Sequence, residues 1–141
     1  MIAERVLVDT NVLVYAYDKT SQRHLQAKAV LEEVFRERTG VLSAQNLAEF
    51  CRVMTQKIPR PLSHEQTHNN ALELTAVFKV VSYDERIVLE ALRLSEIHHI
   101  HYFDALLAAT MAAHQLHVIV TENEKDFRKI PWLEVHNPFS V

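Results

Sequence analysis

Four polar clusters in this sequence carry the residue types that handle phosphate esters through a metal: Asp9, Glu49, Asp104 and the stretch Thr121 to Phe127. Asp9 closes the apolar run Val6-Leu7-Val8, is followed at once by Thr10-Asn11, and a second apolar run starts at Val12. A carboxylate that ends a buried strand and opens a helix sits at the sheet edge where α/β folds place their ligands. Asp104 is the one charged residue, with histidine neutral, between His101 and His114, in an alanine-rich apolar segment. An acid in a first helical turn gains from the helix dipole alone, but burying it beside a core helix is costly without a cation or hydrogen-bond donors. Glu49 flanks the apolar stripe of Leu47, Phe50, Cys51 and Met54, and by itself it reads as a surface glutamate. Thr121-Glu122-Asn123-Glu124-Lys125-Asp126-Phe127 follows Val118-Ile119-Val120 and offers several oxygens in one loop. Brought to one spot by a single sheet, these groups would suit a hard divalent cation, which keeps several waters and takes few carboxylates. Such an ion polarises a phosphodiester and lowers the pKa of a bound water. The residues point to a metal-dependent enzyme acting on phosphate esters.

The elements that must position these groups alternate along the chain. Residues 5–9 and 41–42 read as strands, and 77–81 and 117–120 follow the same apolar pattern. Leu133 to His136 reads as a late edge strand. Between them, periodic apolar positions predict helices over 11–17, 22–38, 44–56, from Ser63 to about Thr75, from Ser82 through Glu96, and 103–114. Ser63 with Gln66 and Ser82 with Glu85 have capping-box spacing. Gly40, the only glycine, is expected to stop the second helix, and Pro59 and Pro61 to stop the third. Strands alternating with helices predict a mostly parallel sheet covered on both faces, in one domain spanning 1–141.

Composition permits this and excludes other classes. The 141 residues are 48% apolar, enough for one substantial core. No uncharged apolar stretch reaches the roughly 18 residues that would span a membrane. Met1 to Arg5 lacks the basic-then-apolar pattern of a signal peptide. The single cysteine, Cys51, rules out an intrachain disulfide framework, reads as a structural thiol and fits a reducing cytoplasm. A net charge of −3 argues against broad electrostatic binding to nucleic acid, yet a bound metal inverts the sign of an acidic pocket.

Taken together, Val8-Asp9-Thr10-Asn11, a helical Glu49, Tyr102-Phe103-Asp104-Ala105 and Val120-Thr121-x-Asn123-x-x-Asp126-Phe127 resemble the PIN domain. Within that family the chain is most similar to VapC-type ribonuclease toxins, along essentially its whole length. The resemblance implies an α/β/α sandwich, Mg²⁺ or Mn²⁺ in an acidic pocket, cleavage of single-stranded RNA segments, a cognate antitoxin protein and a homodimer. It assigns Asp9, Glu49 and Asp104 to the three acidic positions and Asn123 to a fourth that is commonly aspartate. Asp126 or Glu124 would then be the nearby carboxylate able to complete the metal site. Thr10, Asn11 and Thr121 are expected to support Asp9. A self-associating surface is expected on the helices over 22–38 and 44–56, with Phe35 and Met54.

Arg23, Arg52 and Lys125, with Lys28, Lys57, Arg60 and Arg128, are candidate phosphate contacts. His98-His99-x-His101 has a spacing that suggests zinc but lacks a matching Cys or HExxH pattern. Two rival readings are a PIN-fold module that only binds RNA or a protein, and an aspartate-based phosphotransfer protein. The second lacks the second aspartate of a phosphatase after Asp9 and a lysine at a receiver position.

Overall fold

The computed structural model describes residues 4–140, so Met1 to Ala3 of the N-terminal reading lie outside the described residues. The elements are β1 (Val6–Val8), α1 (Thr10–Tyr17), α2 (His24–Arg36), β2 (Gly40–Ser43), α3 (Ala44–Gln56) and α4 (His64–Val77). They continue with β3 (Lys79–Val81), α5 (Glu85–His98), α6 (Tyr102–Ala113), β4 (Val118–Val120), α7 (Glu124–Phe127) and β5 (Glu134–His136). The strands form one sheet in the order β3-β2-β1-β4-β5, and every neighbouring pair is parallel.

Successive residues of a strand face opposite sides of the sheet, and β1 shows it. Leu7 enters the core that α5 and α6 cover, with Leu106, Met111 and Ile119. Val8 enters the core that α1 to α4 cover, with Leu13, Phe50 and Leu74. Helices therefore lie on both faces, giving the three-layer α/β/α sandwich. α6 is buried at every residue from Ala105 to Met111, all of them apolar but Thr110, whose hydroxyl is satisfied by the Leu106 carbonyl. Strand order fixes where the chemistry sits: the chain runs outward from β1 to β3, then returns to add β4 on the other flank of β1. The crevice at that reversal, beyond the carboxyl ends of β1 and β4, is where such sheets receive ligands.

Several expectations change in detail. Gly40 does not stop α2; it opens β2. The turn is made by Arg38, which takes the left-handed backbone at φ 59. A Cβ on Gly40 would lie 2.7 Å from ring carbons of Phe78 and 3.0 Å from a Val34 methyl, so the glycine is there for close packing. The Ser63–Gln66 capping box forms. The Ser82–Glu85 box does not: Asp84 caps α5, accepting from the Arg86 and Ile87 amides. Val77 closes α4, leaving a shorter strand than the apolar run suggests. The loop after β4 contains one helical turn, α7, that short polar segments do not announce. Met54 is wholly buried, packed under the sheet, so it is unavailable to a self-association surface, whereas Phe35 is exposed. Among the described residues no helix is long and apolar enough to cross a membrane.

Candidate active site

Asp9 stands at the end of β1 as the N-cap of α1, and its amide donates to the Val120 carbonyl at 3.0 Å, tying it to the end of β4. One carboxylate oxygen, Oδ1, accepts from the Thr10 amide at 2.8 Å and from Asn46 Nδ2 at 3.1 Å. The other, Oδ2, accepts from Thr121 Oγ1 at 2.7 Å and from Asn11 Nδ2 at 3.3 Å. An ionised carboxylate has about four lone-pair sites, so the side chain is held from all sides. The donors are themselves fixed. Asn46 is buried at the start of α3, where its Oδ1 accepts from Ser43 Oγ at 2.7 Å and its Nδ2 also donates to Thr10 Oγ1 at 2.9 Å. Thr121, buried, accepts from the Asn123 amide at 3.0 Å. Burial pushes the Asp9 carboxyl up to about 6 against the Thr121 and Thr10 bonds, and the charges of Asp104 and Glu49 push the same way.

The opposite wall is built differently. Asp104 projects from the first turn of α6 and its Oδ2 accepts from Asn123 Nδ2 at 3.2 Å. Burial raises its pKa first, then the charge of Asp126, with a smaller push from Glu49; His101 and the Asn123 bond pull it back. Glu49, half-buried on α3, has no hydrogen-bond partner for its carboxylate among the described residues. Asp9, Glu49, Asp104 and Asn123 together line a cleft of about 470 Å³, with Tyr15 and Lys57 at its sides.

A PIN domain family model matches residues 6–133. The chain belongs to the PIN domain family. No curated protein matches its sequence significantly. Among solved structures, it is similar to a toxin–antitoxin complex from Klebsiella pneumoniae at 23% identity and a TM-score of 0.70, covering 96% of this chain and 99% of that one. VapBC2 from Rickettsia felis, bound to a DNA fragment from its promoter, gives 22% identity and a TM-score of 0.71 over 94% and 97%. Mycobacterium tuberculosis VapC20, described as a sarcin–ricin loop cleaving toxin, gives 16% identity and a TM-score of 0.71 over 87% and 93%. At these identities the likeness speaks for the fold.

Within this PIN domain, the structure gathers some of the expected groups and separates others. Asp9, Glu49, Asp104, Asn123, Thr10 and Asn11 line one cleft, and Thr121 lies directly beneath Asp9. Asp126 does not line it; it sits behind Asp104 on α7, acts on that carboxyl through its charge, and has Lys129 Nζ 3.9 Å away. Glu124 is engaged by Arg128 at 2.8 Å and by Asn137 at 3.1 Å.

The cations sort the same way. Lys57 is the basic residue that lines the cleft. Arg23 is paired with Glu122, and its guanidinium lies 5.1 Å from the Phe139 ring centre and 5.6 Å from that of Tyr15, which makes it a clamp. Arg52 lines a different groove, beside His64 and His68, and not this cleft. Lys125 is exposed on α7 and outside the cleft. The histidines serve the junction of α5 and α6: His101 Nδ1 accepts from the Phe103 amide at 3.2 Å, and His99 takes the left-handed backbone at φ 54.

Asn46 is the participant that the sequence reading missed. Its signal was Ser43, three residues earlier, whose Oγ accepts from the Asn46 amide at 2.9 Å as a helix cap. That cap fixes Asn46 in the first turn of α3, facing the end of β1.

A divalent ion fits this donor set. The carboxylates facing the cleft are hard oxygen donors, and the charges of Asp104 and Glu49 push the Asp9 pKa up while that of Glu49 also pushes up Asp104, a repulsion that a cation relieves. Among the described residues no three His, Cys, Asp or Glu side chains make a preformed metal cage. An ion held there would keep much of its own water, as Mg²⁺ prefers.

Proposed function

We propose that this PIN domain is a Mg²⁺- or Mn²⁺-dependent endoribonuclease that cuts single-stranded RNA segments in the cytoplasm and is the toxin of a toxin–antitoxin pair. One observation carries the reading: three carboxylates and a carboxamide, contributed by β1, α3, α6 and the loop after β4, face one open cleft at the sheet's reversal point. The similarity to toxins and toxin–antitoxin complexes supports the biological setting.

Asp9, Glu49 and Asp104 would hold the ion, with Asn123 as a neutral oxygen donor. When bound, the ion supplies charge stabilisation of the phosphodiester and a more acidic water. The chain's own residues do the rest. Thr121, Thr10 and Asn46 fix the Asp9 carboxylate in one orientation, and Asn11, the longest of its four contacts, is the donor that gives way most cheaply. Lys57 offers the cleft a positive charge for substrate phosphate. Glu49, free of hydrogen bonds among the described residues, accepts a proton or a water hydrogen without first breaking a bond.

The test is cation dependence. Purified protein stripped with EDTA should lose cleavage of single-stranded RNA and regain it with Mg²⁺ or Mn²⁺. It should also melt higher with the ion, by about 2.7 kcal/mol of stability at a hundred times the dissociation constant. Binding of RNA without cation-dependent cleavage would leave a binding module in its place. A homodimer is part of the reading, supported by exposed Leu89 and Leu92 on α5 rather than by Met54, and light scattering at micromolar concentration checks it.

A further inference from the structure

Among the described residues one hydrogen bond joins α3 to α6, the two helices that carry Glu49 and Asp104: Gln45 Nε2 donates to the Phe103 carbonyl at 2.8 Å. Both ends of that bond matter. The Phe103 carbonyl and the Asp104 amide belong to one planar peptide unit, so the bond grips the backbone where it leads into Asp104. Gln45 stands four residues before Glu49 on α3, and positions four apart share one helix face. The neighbouring Asn46 reaches another way, to Asp9 Oδ1 at 3.1 Å. The first turn of α3, fixed by the Ser43 cap, therefore holds the end of β1 with one side chain and the start of α6 with the one before it.

Resting on the metal-dependent reading above, we propose that Gln45 is a positioning residue, which sets the spacing between Glu49 and Asp104 at which both carboxylates reach one divalent cation. Little else holds that spacing. Glu49 has no hydrogen-bond partner for its carboxylate among the described residues, and Asp104 is held from the other side, by Asn123. The Phe103 ring is 53% exposed, so its packing does little to hold the turn. The carboxylates themselves stay free to turn; Gln45 fixes the distance between the helices that carry them. Its own Oε1 is buried with no protein partner. A stranded acceptor lowers stability, so a contribution to the fold does not explain the residue. Turning the amide over would set Oε1 against the Phe103 carbonyl, so that carbonyl dictates its orientation.

Gln45→Met tests this, since it keeps the length and bulk of the side chain and removes both the donor and the stranded acceptor. In calorimetry the variant should bind Mn²⁺ about tenfold more weakly, the loss expected of a group that orients metal ligands. Its melting temperature without metal should match or exceed that of the unaltered protein. On single-stranded RNA, kcat should fall by a similar factor while KM stays within about twofold, because Gln45 does not line the cleft. With Glu49→Gln already in place, Gln45→Met should weaken Mn²⁺ binding by less than about threefold, since the spacing has lost one of the carboxylates it serves. Gln45→Ala stands in if the methionine variant does not fold. Unchanged Mn²⁺ affinity in a folded variant overturns the proposal, as do losses that simply multiply in the double variant. A lower melting temperature with Mn²⁺ binding intact also overturns it and makes Gln45 a brace of the fold. The ribonuclease reading fails separately: if the unaltered protein binds Mn²⁺ but cleaves no RNA, that reading falls while the affinity comparison still decides the role of Gln45. If it binds no Mn²⁺, both fall.

Discussion

The two walls of the cleft carry the same chemical groups and are built in opposite ways. Asp9 is gripped by four donors, three of which are buried or part of the backbone. Asp104 has one side-chain donor, from Asn123, and Glu49 none among the described residues. The difference follows from where each residue stands. Asp9 sits at the junction of β1, β4, α1 and α3, where the backbone of a parallel sheet is already fixed. Glu49 and Asp104 stand on helix faces across the cleft, with room to move. One wall is preorganised and the other is left to be ordered by what binds, so changes on the two sides should fail differently: loss of chemistry on the loose wall, loss of stability on the rigid one.

The largest effect is expected on the loose wall. Asp104→Asn keeps the shape and removes the charge. It should lower metal-dependent cleavage at least about a hundredfold, the equivalent of about 3 kcal/mol of lost charge stabilisation. It should not destabilise the fold. The Asp104 pKa is raised by burial and by Asp126, so its ionised form is disfavoured in the folded protein. A raised carboxyl pKa means that the folded state takes up a proton before the unfolded chain does, so stability rises as pH falls through the folded value. The variant should thus melt at or above the parent near pH 7.5, with the gap closing as pH falls and the parent protonates. A clear loss of stability would show that Asp104 is structural and that the two walls are not so different.

Legibility from sequence divides along the same line as the two walls. β1, Asp9 and α6 were readable because their signals are local: an apolar run ended by an acid, and a helix that is apolar on every side. The parallel sheet followed from alternation, and the gathering of Asp9, Glu49, Asp104 and Asn123 from motif order. The reason for Gly40 is not local but a tertiary contact, the Phe78 ring filling the space a Cβ would need. Ser82 has the spacing of a cap, but Asp84 stands closer to the first turn and accepts from two amides. Asn46 escaped notice because its partners, Asp9 and Thr10, lie 37 and 36 residues away. The cations could not be sorted at all from sequence, since pairing such as Arg23 with Glu122 exists only once α2 meets the loop after β4.

A change on the rigid wall should cost less activity and more stability. Thr121→Val keeps the shape of a wholly buried side chain and removes a hydroxyl that donates to Asp9 Oδ2 and accepts from the Asn123 amide. Stranding both groups costs about 1–3 kcal/mol, readable as a fall in melting temperature. Thr121→Ser, which keeps the hydroxyl, should recover most of it. The lost bond is also one that lowers the Asp9 pKa, now about 6. In the valine variant that pKa should move further up, so cation-induced stabilisation should fade at a higher pH than in the parent. An unshifted fade would mean that Asp9 does not titrate with cation binding.

The smallest effect, and the one that bears most directly on the contrast, is expected at the residue that joins the walls. Asn123 receives its place from the rigid side, where its amide donates to Thr121 Oγ1 at 3.0 Å, and lends its side chain to the loose side, where Nδ2 donates to Asp104 Oδ2 at 3.2 Å. Asn123→Asp would replace that donor with a second carboxylate facing Asp104. Without a cation the like charges repel, so the Asp104 pKa should rise further and the metal-free protein should melt lower near pH 7.5. With a cation the added charge should strengthen binding, on the order of tenfold after the repulsion is subtracted. Calorimetry with Mn²⁺ reads the affinity, and its pH dependence reads the repulsion: the gain should shrink as pH falls and the extra carboxylates take up protons. If affinity is unchanged while the metal-free protein is destabilised, Asn123 only braces Asp104, and a cation in the cleft is then held without the residue that links the two walls.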